Sequence, residues 1–509
     1  MYSSLLSIIT YLPLAGVLLV ILMGRGNTKQ LAAKWVGFAT SLAVLVLSVM
    51  LWCGFDPKTP GLQFEQRLGW MTDYGMSYHT GLDGISLVFI LLTAVVTPLT
   101  LMVSWNSVKT QISTFTVTVL LLETALFGLF SAQDLILFYI FYEATLIPAS
   151  LMIGVWGGRR RIWASLQFFL FTFGGSLFML LALVAMWLKT GTTDIQALMN
   201  AGFSHQVQGW LLLAFILAFG VKLPLFPLHA WLPDAYTEAP APASAMLSGI
   251  LSKAGAYGLL RFGILMFPEA AHAFAPYVLA LGVVAIIYAA YIAFAQTDMK
   301  RVIAYSSFSH MGMIAVGLFT LTAEGIDGAI LQMLSHGIVI AALFFCVSVI
   351  AVRAGTREIG QLGGVARQMP LLATFAMLFT MANVGLPGTS SFAGELLVIM
   401  GAVHVSLWVA LLAGTTMIMG AVYMLYLYKG VLFGTVRETT SALRDLTMTE
   451  VAVLAPLAVI ILWMGIYPGT FTRLFDPVVT QSVQAELMNR AAADHTAMLQ
   501  APHEHAVYR

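Results

Sequence analysis

Charge is what this chain has least of. Lysine, arginine, aspartate and glutamate make up 9% of its 509 residues, where an ordinary soluble domain carries about 25%. A soluble fold of this length has more surface than so few charges can cover. The 60% apolar fraction points to the bilayer as the solvent. The formal net charge is +1 and the basic residues are scattered, which excludes a basic stripe for nucleic acid. Cysteine is nearly absent: Cys53 and Cys346 lie far apart on apolar stretches, with no CxxC or Cys/His spacing. A disulfide framework, an iron–sulfur cluster and a structural zinc site are all unsupported. The opening MYSSLLSIITYLPLAGVLLVILMGRG lacks a charged n-region and a small-residue cleavage site, so it reads as a first spanning helix and not as a removable signal.

What is present is long apolar runs. Measured against the roughly 20 residues that a crossing needs, the sequence divides into about 14 segments, at 5–23, 34–53, 84–104, 113–131, 133–155, 164–187, 209–228, 243–266, 276–295, 302–321, 328–350, 371–402, 406–433 and 449–469. The expected fold class is an all-α integral membrane protein. The polar stretches 54–83 and 188–208 and the tail from about 470 are too short for a soluble domain. Fifteen lysines and arginines fall in loops that follow odd-numbered spans, among them Arg159, Arg160, Arg161, Arg353, Arg357 and Arg444, against six on the other side. The positive-inside rule then puts the odd-span loops in the cytoplasm and both termini outside.

Several ionisable residues lie inside these spans. Glu143 is near the middle of the fifth, Lys222 is in the seventh, Lys253 in the eighth and Glu395 in the twelfth, with His310 and His336 in the tenth and eleventh. A charge at the bilayer centre costs about 2.5–3.5 kcal/mol on insertion scales, so each needs an interior partner or water. Arg261 ends its helix and can snorkel to an interface. Lys222 follows a long apolar run and cannot. A static Glu143–Lys222 pair is the bland alternative, and Lys253 has no such partner in view. A buried lysine releases its proton more readily than a solvated one, and a nearby carboxylate opposes this. Movement of the partner therefore turns the lysine into a switch. Histidine carries protons near neutral pH, which suits His310 and His336 to a relay, although a neutral histidine bonded to a backbone carbonyl would sit there equally well. Glu123 on the fourth span either feeds Glu143 or bonds a neighbour. Asp234 and Glu238 cap a helix or line an entrance. The tail histidines His495, His503 and His505 read as belonging to a solvated tail.

Two spans carry helix breakers beside these charges. Pro224 and Pro227 follow Lys222, and Gly385, Pro387 and Gly388 precede Glu395. Irregular backbone at membrane depth survives only where protein or water satisfies it. Paired breaks in spans 7 and 12 point to a midplane ion site between inverted repeats. The five-span offset suggests repeats of spans 4–8 and 9–13, giving divisions at 1–110, 111–268, 269–435 and 436–509.

At these residues the sequence resembles a known family. FGVKLPLFPLHAWLPDAYTEAPAPASAMLSGILSKAGAYGLLR, FAQTDMKRVIAYSSFSHMG and GLPGTSSFAGE are similar to the signature of the antiporter-like subunits of respiratory complex I, which also occur in cation/proton antiporters and membrane-bound hydrogenases. Glu395, where most branches carry lysine, resembles the M-type branch. The resemblance implies two inverted five-helix repeats and a proton path. In it Glu143 and Lys222 form the input pair, Lys253 is the central carrier, His310 and His336 continue the midplane axis, and Glu395 is the terminal site, with Glu123 and Asp234 as accessories. It further implies no redox cofactor or metal in this chain. NADH, FMN, iron–sulfur clusters and quinone would belong to partner subunits. The membrane neighbours would be L-type and N-type chains, including the L-type lateral helix, in a bacterial inner membrane. A sodium/proton antiporter, a hydrogenase subunit, a small-solute transporter and a passive scaffold are the competing readings.

Overall fold

The computed structural model describes residues 4–23, 27–59 and 61–500. Eleven helices among them are long and apolar enough to cross a membrane. They are span 1 (Leu5–Met23), span 2 (Gln30–Gly54), span 3 (Gly84–Ser107), span 4 (Ile112–Ser131), span 5 (Leu135–Trp156), span 6 (Arg161–Thr190), span 9 (Pro268–Phe294), span 10 (Met299–Phe319), span 11 (Ala323–Ala354), span 13 (Leu407–Leu432) and span 14 (Met448–Ile466). Acidic and hydroxyl side chains start several of them, as N-caps should. Asp83 accepts from the Ser86 amide at 2.9 Å, Asp134 from that of Ile136 at 3.0 Å, and Asp298 from that of Lys300 at 2.7 Å.

Three further crossings are interrupted, two of them where the sequence puts its breakers. Span 7 runs from His205 to Lys222 and stops, then resumes as Leu232–Glu238. The intervening prolines cannot donate to a helical ladder. Span 12 is split into Pro370–Val384 and Ser390–Val405. Between the halves Gly385 and Gly388 take φ values of 81° and 88°, which side chains disfavour. Span 8 is broken in a way the sequence conceals. Its α-helical pieces Ala241–Met246 and Ser252–Gly258 are joined and followed by π-helical turns, Leu247–Leu251 and Leu259–Ile264. Spans 3, 4, 10 and 11 form the buried centre, while spans 2, 13 and 14 are mostly exposed and present residues such as Leu411 and Ile418 outward.

Two departures from the expected layout stand out. The stretch 54–83 contains an antiparallel hairpin, β1 (Gln63–Met71) and β2 (Met76–Leu82), turning at Gly75 with φ 66°. Its first strand is largely exposed, so no alternating apolar face betrays it. A lone hairpin is marginal in water, and this one is held by its neighbours. The His79 carbonyl accepts from the Gln133 amide at 2.8 Å, and Asp134 accepts from the Ser77 amide at 3.1 Å. The second departure is the tail, which forms a helix over Gly469–Gln500. It packs Leu474, Phe475 and Val479 inward against spans 3 and 11. His503 and His505 lie outside the described residues.

His79 bonds Asp194 Oδ2 at 3.0 Å through Nδ1 and Glu65 Oε1 at 2.8 Å through Nε2. Burial pulls its titration down, but the two carboxylates outweigh this and hold it above its ordinary value. Asp194 is held low, first by the His79 hydrogen bond. A raised histidine contributes stability that is present below about pH 6.5 and lost as pH rises through its folded value. The lowered aspartate contributes above about pH 3.9 and loses that contribution as pH falls through its folded value. Hairpin amides are therefore expected to exchange faster as pH climbs past neutrality, after correction for intrinsic rates. In His79→Gln this extra pH dependence should vanish.

Candidate functional site

The ionisable residues that the sequence singles out fall into two groups in the structure. In the first, Lys222 ends the first half of span 7 and is 1% exposed. Its ammonium donates to the Thr145 hydroxyl at 2.9 Å and the Tyr142 carbonyl at 3.2 Å, and lies 3.3 Å from the Tyr142 ring centroid. These groups belong to span 5, where Glu143 lies between them in sequence. Glu143 and Lys222 make no direct ion pair, with no N···O contact within 4.0 Å, although Glu143 is near enough to act on the lysine through its charge; among the described residues Glu143 Oε1 has no hydrogen-bond partner. Neutral acceptors and a ring face hold the cation, and both can stabilise a desolvated ammonium.

The second group is a series of buried neighbours. Lys253, 0% exposed, donates to the Ser248 carbonyl at 2.6 Å and lies 2.6 Å from His336 Nδ1, with the Ser252 hydroxyl at 3.5 Å. Ser248 belongs to the π-helical turn, a distortion that recurs at functional sites. The rings of His336 and His310 are 5.4 Å apart. His310 Nδ1 is 3.3 Å from Glu395 Oε1. Gln332 donates to that same carboxylate oxygen at 3.1 Å and lies 3.3 Å from His310 Nδ1. Glu395 is 0% exposed. Spans 8, 11, 10 and 12 thus bring one side chain each to a buried line, with Gln332 of span 11 as an additional member. His310 Nε2, His336 Nε2 and Glu395 Oε2 have no hydrogen-bond partner. Such groups are costly to bury idle and are the atoms through which a proton can enter and leave.

Small residues let the backbones approach this closely, as membrane helix interfaces require. Gly249 and Gly337 face each other across spans 8 and 11, and a Cβ on Gly337 would lie 2.7 Å from the Gly249 carbonyl oxygen. A Cβ on Gly255 would lie 2.8 Å from the Phe219 carbonyl oxygen in span 7, and one on Gly385 would lie 2.7 Å from Glu395 Oε2. The broken turn of span 12 is thereby shaped around the carboxylate.

Other sequence expectations come out differently. Arg261 does not snorkel: it is largely buried and ion-paired with Asp83 at the start of span 3, with Ser86 Oγ at 3.2 Å. Asp234 does not cap its helix, whose N-cap Trp231 makes no side-chain cap bond. It lies instead between Arg160 and Arg301, at 3.4 Å from each. Glu238 Oε2 accepts from the Arg160 amide at 3.0 Å. Glu123 is fully buried, with neither carboxylate oxygen hydrogen-bonded, so it does not bond a neighbour. Gln332, Thr145, Ser248 and Ser252 are site members that the sequence does not advertise. The one signal for Gln332 is its place one helical turn before His336, which is weak beside charged neighbours. Among the described residues no group of three or more His, Cys, Asp or Glu side chains could hold a metal.

Comparison with known proteins identifies the family of this chain. The family model described as NADH:quinone oxidoreductase/Mrp antiporter, transmembrane, matches residues 132–420, a range containing Glu143, Lys222, Lys253, His310, His336 and Glu395. The chain is 46% identical to NADH-quinone oxidoreductase subunit M of Rhodobacter capsulatus, over 95% of this chain and 97% of that one. It is 44% identical to NADH-ubiquinone oxidoreductase chain 4 of Chondrus crispus, over 90% and 93%. A chain of respiratory complex I from Thermus thermophilus superposes with a TM-score of 0.86 at 33% identity, covering 95% of this chain and 99% of that one. The chain belongs to the NADH:quinone oxidoreductase/Mrp antiporter transmembrane family.

Proposed function

We propose that this chain is a proton-translocating membrane-arm subunit of an NADH:quinone oxidoreductase, and that its Lys253–His336–His310–Glu395 line is the proton path. The observation that carries this reading is the buried contact series itself: four titratable groups from four spans, none facing lipid. Lys253 holds a proton among Ser248, Ser252 and His336, and can pass it to His336 Nδ1 along a single hydrogen bond. From there the proton moves to His310 and then to Glu395, where Gln332 keeps the carboxylate in register. Glu143 of span 5 and Lys222 of span 7 load the line. Because Lys222 rests on neutral acceptors, a change of charge at Glu143 alters its hold on the proton without first breaking a direct ion pair. Glu123 and Asp234 are accessory.

The same reading assigns the remaining expectations. The chain carries no redox centre, and NADH, FMN, iron–sulfur clusters and quinone act in partner subunits. Its membrane neighbours are the L-type and N-type antiporter-like chains, with the L-type lateral helix running past it. It sits in a bacterial inner membrane with the basic loops in the cytoplasm and both termini outside. Residues 111–268 and 269–435 are the two inverted repeats, flanked by an N-terminal segment (residues 1–110) and a C-terminal one (residues 436–509). The matching breaks of spans 7 and 12 support that division.

Affinity purification of the chain in mild detergent, with NADH:quinone activity and copurifying chains recorded together, tests the assignment. Flavin- and cluster-bearing partners with activity are the expected result. Antiporter or hydrogenase chains without NADH oxidation would transfer the same residues to another machine.

A further inference from the structure

We infer that the groove between spans 3, 11 and 14 is a binding site for one anionic phospholipid, with its phosphate at Arg353. At the basic end of the bundle lies a cavity of about 220 Å³, lined by Asn106 and Ser107 of span 3, Ser348 and Arg353 of span 11, and Thr449 and Glu450 at the start of span 14. Arg353 is only partly satisfied there. Its Nη2 donates to Glu450 Oε2 at 2.7 Å, while Nη1 has no hydrogen-bond partner among the described residues. Glu450 is already engaged by the Thr447 amide and hydroxyl in a capping box, so it cannot turn to the second nitrogen freely. A guanidinium fork with one buried, unpartnered arm beside hydroxyl groups suits a phosphate oxygen.

Two neighbouring features select a lipid over a free anion. Asn106 also lines an adjoining recess of about 320 Å³ that contains Lys34 and Lys109, so a second and third positive charge flank the head position. Trp35 and Trp105 pack beside that recess, with ring centroids 4.8 Å apart, marking the depth at which aromatic side chains meet headgroups. Along the same three helices lies a second, apolar cavity of about 100 Å³, lined by Val88 and Leu92 of span 3, Leu334 and Ile338 of span 11, and Ile460 and Met464 of span 14. On spans 3 and 11 the two cavities are about 13 residues apart, roughly 20 Å of helix. That is about the reach of one extended acyl chain. The polar end, the charged rim and the apolar floor are thus arranged in the order of a phospholipid, and basic pockets between membrane helices are known to take such headgroups.

The test uses the assembled complex, stripped of lipid in detergent and exchanged into micelles doped with phosphatidylglycerol or phosphatidylcholine of matched chains. Retained lipid is counted by mass spectrometry. The wild-type complex is expected to hold phosphatidylglycerol at least about tenfold more tightly than phosphatidylcholine. Arg353→Gln removes the fork, and Val349→Phe fills the cavity while leaving the Arg353–Glu450 pair intact. Each should lower phosphatidylglycerol retention to the phosphatidylcholine level, whereas Lys429→Gln, at an exposed site outside the groove, should not. Equal retention of both lipids by the wild type would overturn the inference. So would undiminished phosphatidylglycerol binding in both groove variants, or its displacement by millimolar inorganic phosphate alone.

Discussion

Lys253→Met is expected to lower proton translocation by the assembled complex about a hundredfold, the scale on which a positioned proton-transfer group acts, while leaving assembly intact. Methionine keeps the length and apolar stem of lysine, and among the described residues Lys253 makes no ion pair whose loss would strand a buried charge. Its partners are a carbonyl, a hydroxyl and an imidazole nitrogen, all neutral acceptors when the lysine carries the proton. What the substitution removes is the group that hands a proton to His336 Nδ1. Translocation by energised proteoliposomes, with the copurifying chains counted beside it, checks the result. Normal pumping by a fully assembled Lys253→Met complex would remove Lys253 from the path.

Gly337→Val is expected to damage the fold and the path together. The Cβ would meet the Gly249 carbonyl oxygen at 2.7 Å and Leu92 Cδ2 at 2.9 Å. The leucine can rotate away, but the carbonyl is backbone and the helices themselves must part. Overpacking of this kind costs about 1–3 kcal/mol. Separation of spans 8 and 11 also lengthens the Lys253–His336 contact, because His336 adjoins Gly337 and Lys253 lies one turn beyond Gly249. Lower thermal stability of the detergent-solubilised complex, with translocation falling more steeply than assembly, is the expected pattern. Unchanged stability would mean that the two helices are less tightly apposed than the geometry states.

The features of the fold that the sequence discloses are those with strong local causes. Apolar runs of bilayer length place the spans, and Pro224, Pro227, Gly385 and Gly388 place two of the three breaks, because proline and glycine act on their own backbone. The π-helical turns of span 8 carry no proline, so no helix breaker of that kind announces them. The hairpin is hidden for a similar reason: it is stabilised by loops 50 or more residues distant, through Asp134 and Asp194, and not by a buried face of its own.

The site divides along the same line. Charge in an apolar run is conspicuous, so Glu143, Lys222, Lys253 and Glu395 stand out unaided, and His310 and His336 nearly so. Which of them touch is a tertiary matter. Opposite charge suggests a Glu143–Lys222 pair, yet the lysine bonds Thr145 and Tyr142. Arg261 reads as an interface residue until Asp83, 178 positions away, is seen to meet it. Gln332 is neutral and so draws no notice, although it bridges His310 and Glu395.

The central claim is that Lys253 and Glu395 act in series on one path. The most direct test compares protons moved per electron in proteoliposomes containing the wild-type complex, Lys253→Met, Glu395→Gln and the double variant. Groups that act as a unit are not additive. The account predicts that the double variant is no worse than the poorer single variant. Losses that multiply, each variant removing its own share of the flux, would show two independent routes and contradict a single buried line from Lys253 to Glu395.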